Sequence, residues 1–98
     1  MASPRLRRLF LVIDDDPNIG DALSTMIREM GHDVEYCGDA AGGLQRTQEL
    51  QPAVVLLDVC LMGGDDGLAL LERVREVSPG TAVIMIVAVL GMTPPPMR

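Results

Sequence analysis

The chain has no tryptophan and no lysine, a single tyrosine and a single phenylalanine. With aromatics at 2% and hydrophobic residues at 48%, any core must be filled by Val, Leu, Ile, Met and Ala. Positive charge is also scarce: 8 basic residues stand against 14 acidic ones, a net charge of -6. That balance excludes the cationic footprint that nucleic-acid phosphates require, so direct nucleic-acid binding by this segment is not expected. The one basic cluster, Arg5, Arg7 and Arg8, precedes the first apolar run and reads as a solvated tail. No apolar stretch approaches the roughly 18–20 residues of a membrane span. The N-terminus has neither the h-region nor the cleavage site of a signal peptide, so no membrane partner and a cytoplasmic location are expected. Cysteine is limited to Cys37 and Cys60, without Cys-x-x-Cys spacing, which reads as reduced, buried thiols. Ninety-eight residues allow one domain with a modest core.

What the chain does have is two short apolar runs, each ending in acid. Val54-Val55-Leu56-Leu57 stops at Asp58, between Pro52 and Gly63-Gly64. Leu9 to Ile13 stops at Asp14-Asp15-Asp16. Such runs, bounded by turn formers, read as fully buried strands of a parallel sheet. Open α/β sheets place ligands and chemistry at the carboxyl ends of their strands. Two parallel strands would therefore bring Asp58 to face the Asp14–Asp16 cluster. Carboxylates gathered within a few ångströms repel one another unless a cation sits among them. An all-oxygen site of this kind suits Mg²⁺, which also pairs with phosphate oxygens. An aspartate beside such a cation can act as a nucleophile toward phosphorus and form an acyl phosphate.

The rest of the chain alternates. Asp16-Pro17 starts a helix whose inward face is predicted at Ile19, Leu23, Ile27 and Met30, with Gly31 closing it in a left-handed conformation. Asp33–Cys37 alternates like an edge strand. Asp39 caps a second helix to about Leu50, weakened by Gly42-Gly43. After the 59–66 loop, a third helix turns Leu68, Leu71 and Val74 inward, with Val77 or Ser78 below them. Ser78-Pro79-Gly80 is a turn, and residues 82–87 form a fourth buried strand. This order predicts a doubly wound parallel α/β sheet. Residues 1–8 read as a tail, 9–88 as the domain, and 89–98, with three consecutive prolines, as an irregular arm.

Three stretches carry a resemblance: Leu11-Val-Ile-Asp-Asp-Asp-Pro-Asn-Ile19, Pro52-Ala-Val-Val-Leu-Leu-Asp-Val59 and Asp66-Gly-Leu-Ala-Leu-Leu-Glu-Arg-Val-Arg75. In order and approximate spacing they resemble the receiver domain of two-component response regulators, which has a flavodoxin-like fold. The resemblance implies that Asp58 accepts a phosphoryl group from a histidine kinase or phosphotransfer protein. It implies Mg²⁺ held directly by Asp15, Asp58 and the backbone carbonyl of Cys60, with Asp14 acting mainly through metal-bound water and Asp16 as the helix cap. The chain departs from the family pattern in three ways. Met62 stands where proline is usual, in a loop one residue longer. Val87 stands where a Thr or Ser hydroxyl meets the phosphoryl group. The fourth helix, the fifth strand with its lysine, and the fifth helix have no counterpart, so a partial receiver that self-associates is expected.

The leading expectation is thus a signalling domain, not an enzyme, working in a phosphorelay. A non-switching receiver acting as a dimerisation or interaction module is the alternative. A small phosphatase of the haloacid-dehalogenase type is a third reading, because Asp14-x-Asp16 echoes its nucleophile motif; that family needs a lysine, and this chain has none.

Overall fold

A computed structural model describes residues 6–58 and 66–86. The two apolar runs form β1 (Leu9–Ile13) and β3 (Val54–Asp58); Asp33–Cys37 forms β2 and Ala82–Ile86 forms β4. Between them lie α1 (Pro17–Glu29), α2 (Ala40–Leu50) and α3 (Asp66–Val77). All strand pairings are parallel, in the order β2-β1-β3-β4. This is the flavodoxin-like α/β arrangement, in which the strand order reverses between β1 and β3.

Alternation along the central strands sorts the layers. Leu11 pairs with Val55 and Ile13 with Leu57. All four are fully buried, and with Leu70 and Val74 of α3 they form the main core. Burying each such side chain stabilises the fold by roughly 1.5–3 kcal/mol. Val12 and Ile27 of α1 are buried as well. β2 lies at one edge and only partly buries its residues, as its alternating sequence predicts. Cys37 is a free thiol, half-buried rather than buried, and packs against the core. Among the described residues no helix is long and apolar enough to cross a membrane.

The helix boundaries follow their signals. Asp16 caps α1 by accepting from the Asn18 N–H, Pro17 opens it, and Gly31 follows it at φ +93°. The face turned inward is only partly the one expected: of its four residues Ile27 is buried and Leu23 half-buried. Gly20, Ser24 and Ile27 are buried, whereas Ile19 is 37% and Met30 62% exposed. The sheet accepts α1 at close range on small residues, and the large apolar ones at its ends are left outside. In α3 the expected Val74 and, just beyond the helix, Ser78 are buried and Leu71 packs against the core, but Leu70 is buried in its first turns while Leu68 is 56% exposed. Arg7 and Arg8 are exposed but not loose, since Arg7 pairs with Asp33 at 2.7 Å and the Arg8 N–H donates to His32 Nδ1.

Beside that ion pair, the amino-end edge of the sheet is tied by uncharged groups at β3 and β4. Gln51, left-handed at φ 48°, donates from Nε2 to the Val77 carbonyl. The Ser78 and Thr81 hydroxyls lie 2.6 Å apart, and Thr81 donates to the Pro52 carbonyl.

The glycine pair in α2 has a packing reason. Asp39 caps the helix at the Gly42 N–H. Gly43 sits so close to β1 that a Cβ there would lie 2.6–2.9 Å from three side-chain carbons of Ile13. Alanine would gain roughly 1 kcal/mol of helix propensity. Overpacking against a β-branched, fully buried side chain costs about 1–3 kcal/mol. Gly43→Ala is therefore expected to lose about 1 kcal/mol net, read as a lower urea midpoint at unchanged slope. A raised midpoint would show that Ile13 yields without strain.

Candidate functional site

The register of β1 on β3 decides where the acids meet. Ile13 stands opposite Leu57, so the next residues, Asp14 just past β1 and Asp58 as the last residue of β3, come side by side. Both strands grow more buried toward this end. Asp14 is 1% exposed and Asp58 7%, while Asp15 is exposed. One carboxylate oxygen from each of Asp14, Asp15 and Asp58 lies within 4.8 Å of the others. Two direct ligands of an octahedral Mg²⁺ are about 3–4 Å apart, as the Mg–O distance of ~2.1 Å dictates. The three-carboxylate set therefore fits a small hard cation if the acids draw in by about an ångström or more, or with one acid reaching it through water. Its all-oxygen chemistry fits the same ion.

Asp14 is held from three sides. Its N–H donates to the Cys37 carbonyl at 3.1 Å. Its own carbonyl accepts the Tyr36 hydroxyl at 2.6 Å. Its carboxylate accepts the Asp16 N–H at 2.8 Å. Burial raises the Asp14 pKa above its ordinary value; the Asp16 N–H opposes this, and the charges of Asp58, Asp15 and Asp16 add to the rise. Partial burial, and then the charges of Asp14, Asp15 and Asp16, likewise push the Tyr36 phenol up. Tyr36 therefore remains a hydrogen-bond donor at neutral pH.

The structure brings together Asp14, Asp15 and Asp58, and places Asp16 at the helix cap. Cys60, the 59–65 loop with Met62, and Val87 lie outside the described residues. Sequence reasoning missed Tyr36 as part of the site. It read Tyr36 only as one position of an alternating edge strand; its being the sole tyrosine, two residues before a turn, was the one available signal.

Comparison with known proteins bears on the family and the fold. The response regulator receiver domain family matches residues 10–92. The chain is 34% identical over 83 residues to the DNA-binding response regulator MtrA of Mycolicibacterium smegmatis, covering 85% of this chain and 36% of that protein. It is 37% identical over 89 residues to the transcriptional activator protein PfeR of Pseudomonas aeruginosa, covering 91% of this chain and 27% of that one. The chain thus spans about a third of the length of these curated relatives. Among solved structures, a CheY-like receiver domain protein from Methanospirillum hungatei superposes with a TM-score of 0.78 at 29% identity, over 87% of this chain and 69% of that one. NtrX from Brucella abortus superposes with a TM-score of 0.75 at 30% identity, over 84% of this chain and 18% of that one.

The electrostatics give a testable consequence. A carboxyl whose folded pKa lies above its unfolded one binds its proton more tightly when folded. The stability it contributes is present below the unfolded pKa and is lost as pH rises through the folded one. Asp14→Asn keeps the Oδ1 acceptor for the Asp16 N–H and removes the charge. Without divalent cations it should gain on the order of 1 kcal/mol at neutral pH. The gain should shrink as pH falls through the raised Asp14 pKa, where the parent protein is itself neutral there. Thermal melts of both proteins between mildly acidic and neutral pH in chelator would check it; a constant gain across that range would refute the charge argument.

Proposed function

The chain belongs to the response regulator receiver domain family, and we propose that Asp58 is its phosphoryl acceptor in a two-component phosphorelay. The supporting observation is the convergence of three carboxylates at the carboxyl edge between β1 and β3, with Asp58 at the tip of a buried strand. In this reading one Asp58 oxygen attacks the phosphorus of a phosphohistidine on a histidine kinase or phosphotransfer protein. The phosphorus–nitrogen bond breaks, the imidazole leaves with the bonding pair and takes up a proton, and an acyl phosphate forms on Asp58. Asp15, Asp58 and the Cys60 carbonyl would hold Mg²⁺, with Asp14 reaching it through water. The ion, when bound, would neutralise charge among the phosphoryl oxygens. Asp14 keeps the acid-bearing turn in place through its three hydrogen bonds. The domain carries a signal; it turns nothing over beyond its own modification.

The test is intact-protein mass spectrometry after incubation with a small phosphoryl donor such as acetyl phosphate. The protein should gain one phosphoryl group with Mg²⁺ and none with chelator, and Asp58→Asn should gain none in either. Labelling of Asp58→Asn at the rate of the parent would overturn the assignment.

At Val87 the sequence offers a methyl group where similar receivers offer a hydroxyl. A charge-assisted hydrogen bond of that kind contributes roughly 1.5–3 kcal/mol. A ligand shifts a conformational equilibrium only by its differential affinity for the two states. Phosphorylation is therefore expected to change the shape of this domain little. Amide hydrogen exchange with a beryllofluoride phosphate mimic and Mg²⁺ should show protection confined to residues 14–16 and 58–67. Protection spreading through β4 would count against this.

A further inference from the structure

The turn after β1 carries the acids, and β2 supplies its fixed points. The two peptide planes that flank Asp14 are both tied to the end of β2. The plane before it is fixed by the Asp14 N–H on the Cys37 carbonyl, and the plane after it by the Tyr36 hydroxyl on the Asp14 carbonyl. A residue has only two soft backbone dihedrals, and fixing both flanking planes fixes both. The second plane also leads into Asp15, so its orientation sets where the exposed Asp15 carboxylate can point.

Tyr36 is itself held in place. Its ring packs against α1 at Gly20, where an added Cβ would overlap three ring carbons. No side chain larger than hydrogen can stand at Gly20 while the ring stays there. The hydroxyl is thereby aimed from the edge strand, across the first turn of the helix, at the backbone of the acid turn. Asp15, by contrast, is exposed and lies beyond the ladder residues of β1.

We propose that Tyr36 is a positioning residue for the cation site: its hydroxyl, seated over Gly20, holds the Asp14–Asp15 peptide so that Asp15 and Asp58 converge on one ion. The inference rests on the reading of Asp14, Asp15 and Asp58 as a Mg²⁺ site and adds a residue outside the acid cluster that sets its affinity. It also gives Gly20 a role, since the space over that residue is what admits the ring.

The test is a double-mutant cycle on the full chain, with Mg²⁺ affinity measured by titration calorimetry. Tyr36→Phe keeps the ring over Gly20 and removes only the hydroxyl. It should weaken Mg²⁺ binding about fivefold, the factor one neutral hydrogen bond supplies, and should move the Asp14 carbonyl carbon resonance. Gly20→Ala displaces the ring with the hydroxyl intact and should weaken binding by a similar factor. In the Tyr36→Phe background, Gly20→Ala should cost almost nothing further, because both act through one contact. A merely structural role for Tyr36 would lower thermal stability but leave Mg²⁺ affinity and the Asp14 resonance unmoved, or give additive losses; either result overturns the proposal. Should Gly20→Ala not fold, Tyr36→Phe decides alone. If the parent protein binds no Mg²⁺, the cation site itself fails and the proposal with it. If the parent binds and Tyr36→Phe binds equally well, the site stands and only the role of Tyr36 is lost.

Discussion

The parallel ladder between β1 and β3 is the constraint on which the rest depends. Its register sets Ile13 against Leu57, and the same register brings Asp14 and Asp58 together at the carboxyl edge of the sheet. A slip of one residue would turn Leu11, Ile13, Val55 and Leu57 out of the core. The hydrophobic alternation that builds the core therefore also fixes the distance between the acids. Core and site are specified by one set of hydrogen bonds, so neither can drift without the other.

That coupling concentrates like charge where there is little water to screen it. Asp14 is buried, and its pKa rises through burial and through the neighbouring acids, with one backbone N–H working against the rise. An arrangement of this kind lowers stability in the absence of a cation and raises affinity for one, since the same repulsion is relieved on binding. The opposite edge of the sheet carries no such strain. There Gln51, Ser78, Thr81 and the Pro52 carbonyl satisfy one another as neutral groups. The fold is thus tied at its amino edge by neutral hydrogen bonds and one exposed ion pair, Arg7–Asp33, and left electrostatically tense at its carboxyl edge, where the three acids meet.

Close approach is the second theme. α1 and α2 each meet the sheet at a glycine, Gly20 under the Tyr36 ring and Gly43 against Ile13. Both contacts lie within a few residues of the acid turn. Gly43 bears on the side chain immediately before Asp14, and Gly20 admits the ring whose hydroxyl bonds the Asp14 carbonyl. The helices are drawn in toward the point where geometry matters most, at the expense of helix propensity in both.

Much of this was legible in the chain itself. Two apolar runs ending in acid identified β1 and β3 as buried parallel strands, since runs of that length favour cover on both faces. Ala82–Ile86, expected to be buried on the same pattern, is instead exposed to half-buried, because β4 stands at the edge of the described sheet. Asp16-Pro17, Gly31 and Asp39 marked helix ends, because caps act through a single backbone contact that local sequence determines. The meeting of Asp14, Asp15 and Asp58 followed from parallel pairing alone. What local pattern could not decide was which helix face turns inward. Periodicity counted Ile19, Met30 and Leu68 as inward, but the sheet selects the stripe that lets it come closest, and small residues at Gly20 and Ser24 won over large ones. Nor could it place Tyr36, whose partner lies 22 residues away across a strand pairing. Alternation gives the side of a strand on which a side chain stands; only the packed sheet and helix decide which backbone its hydroxyl will find.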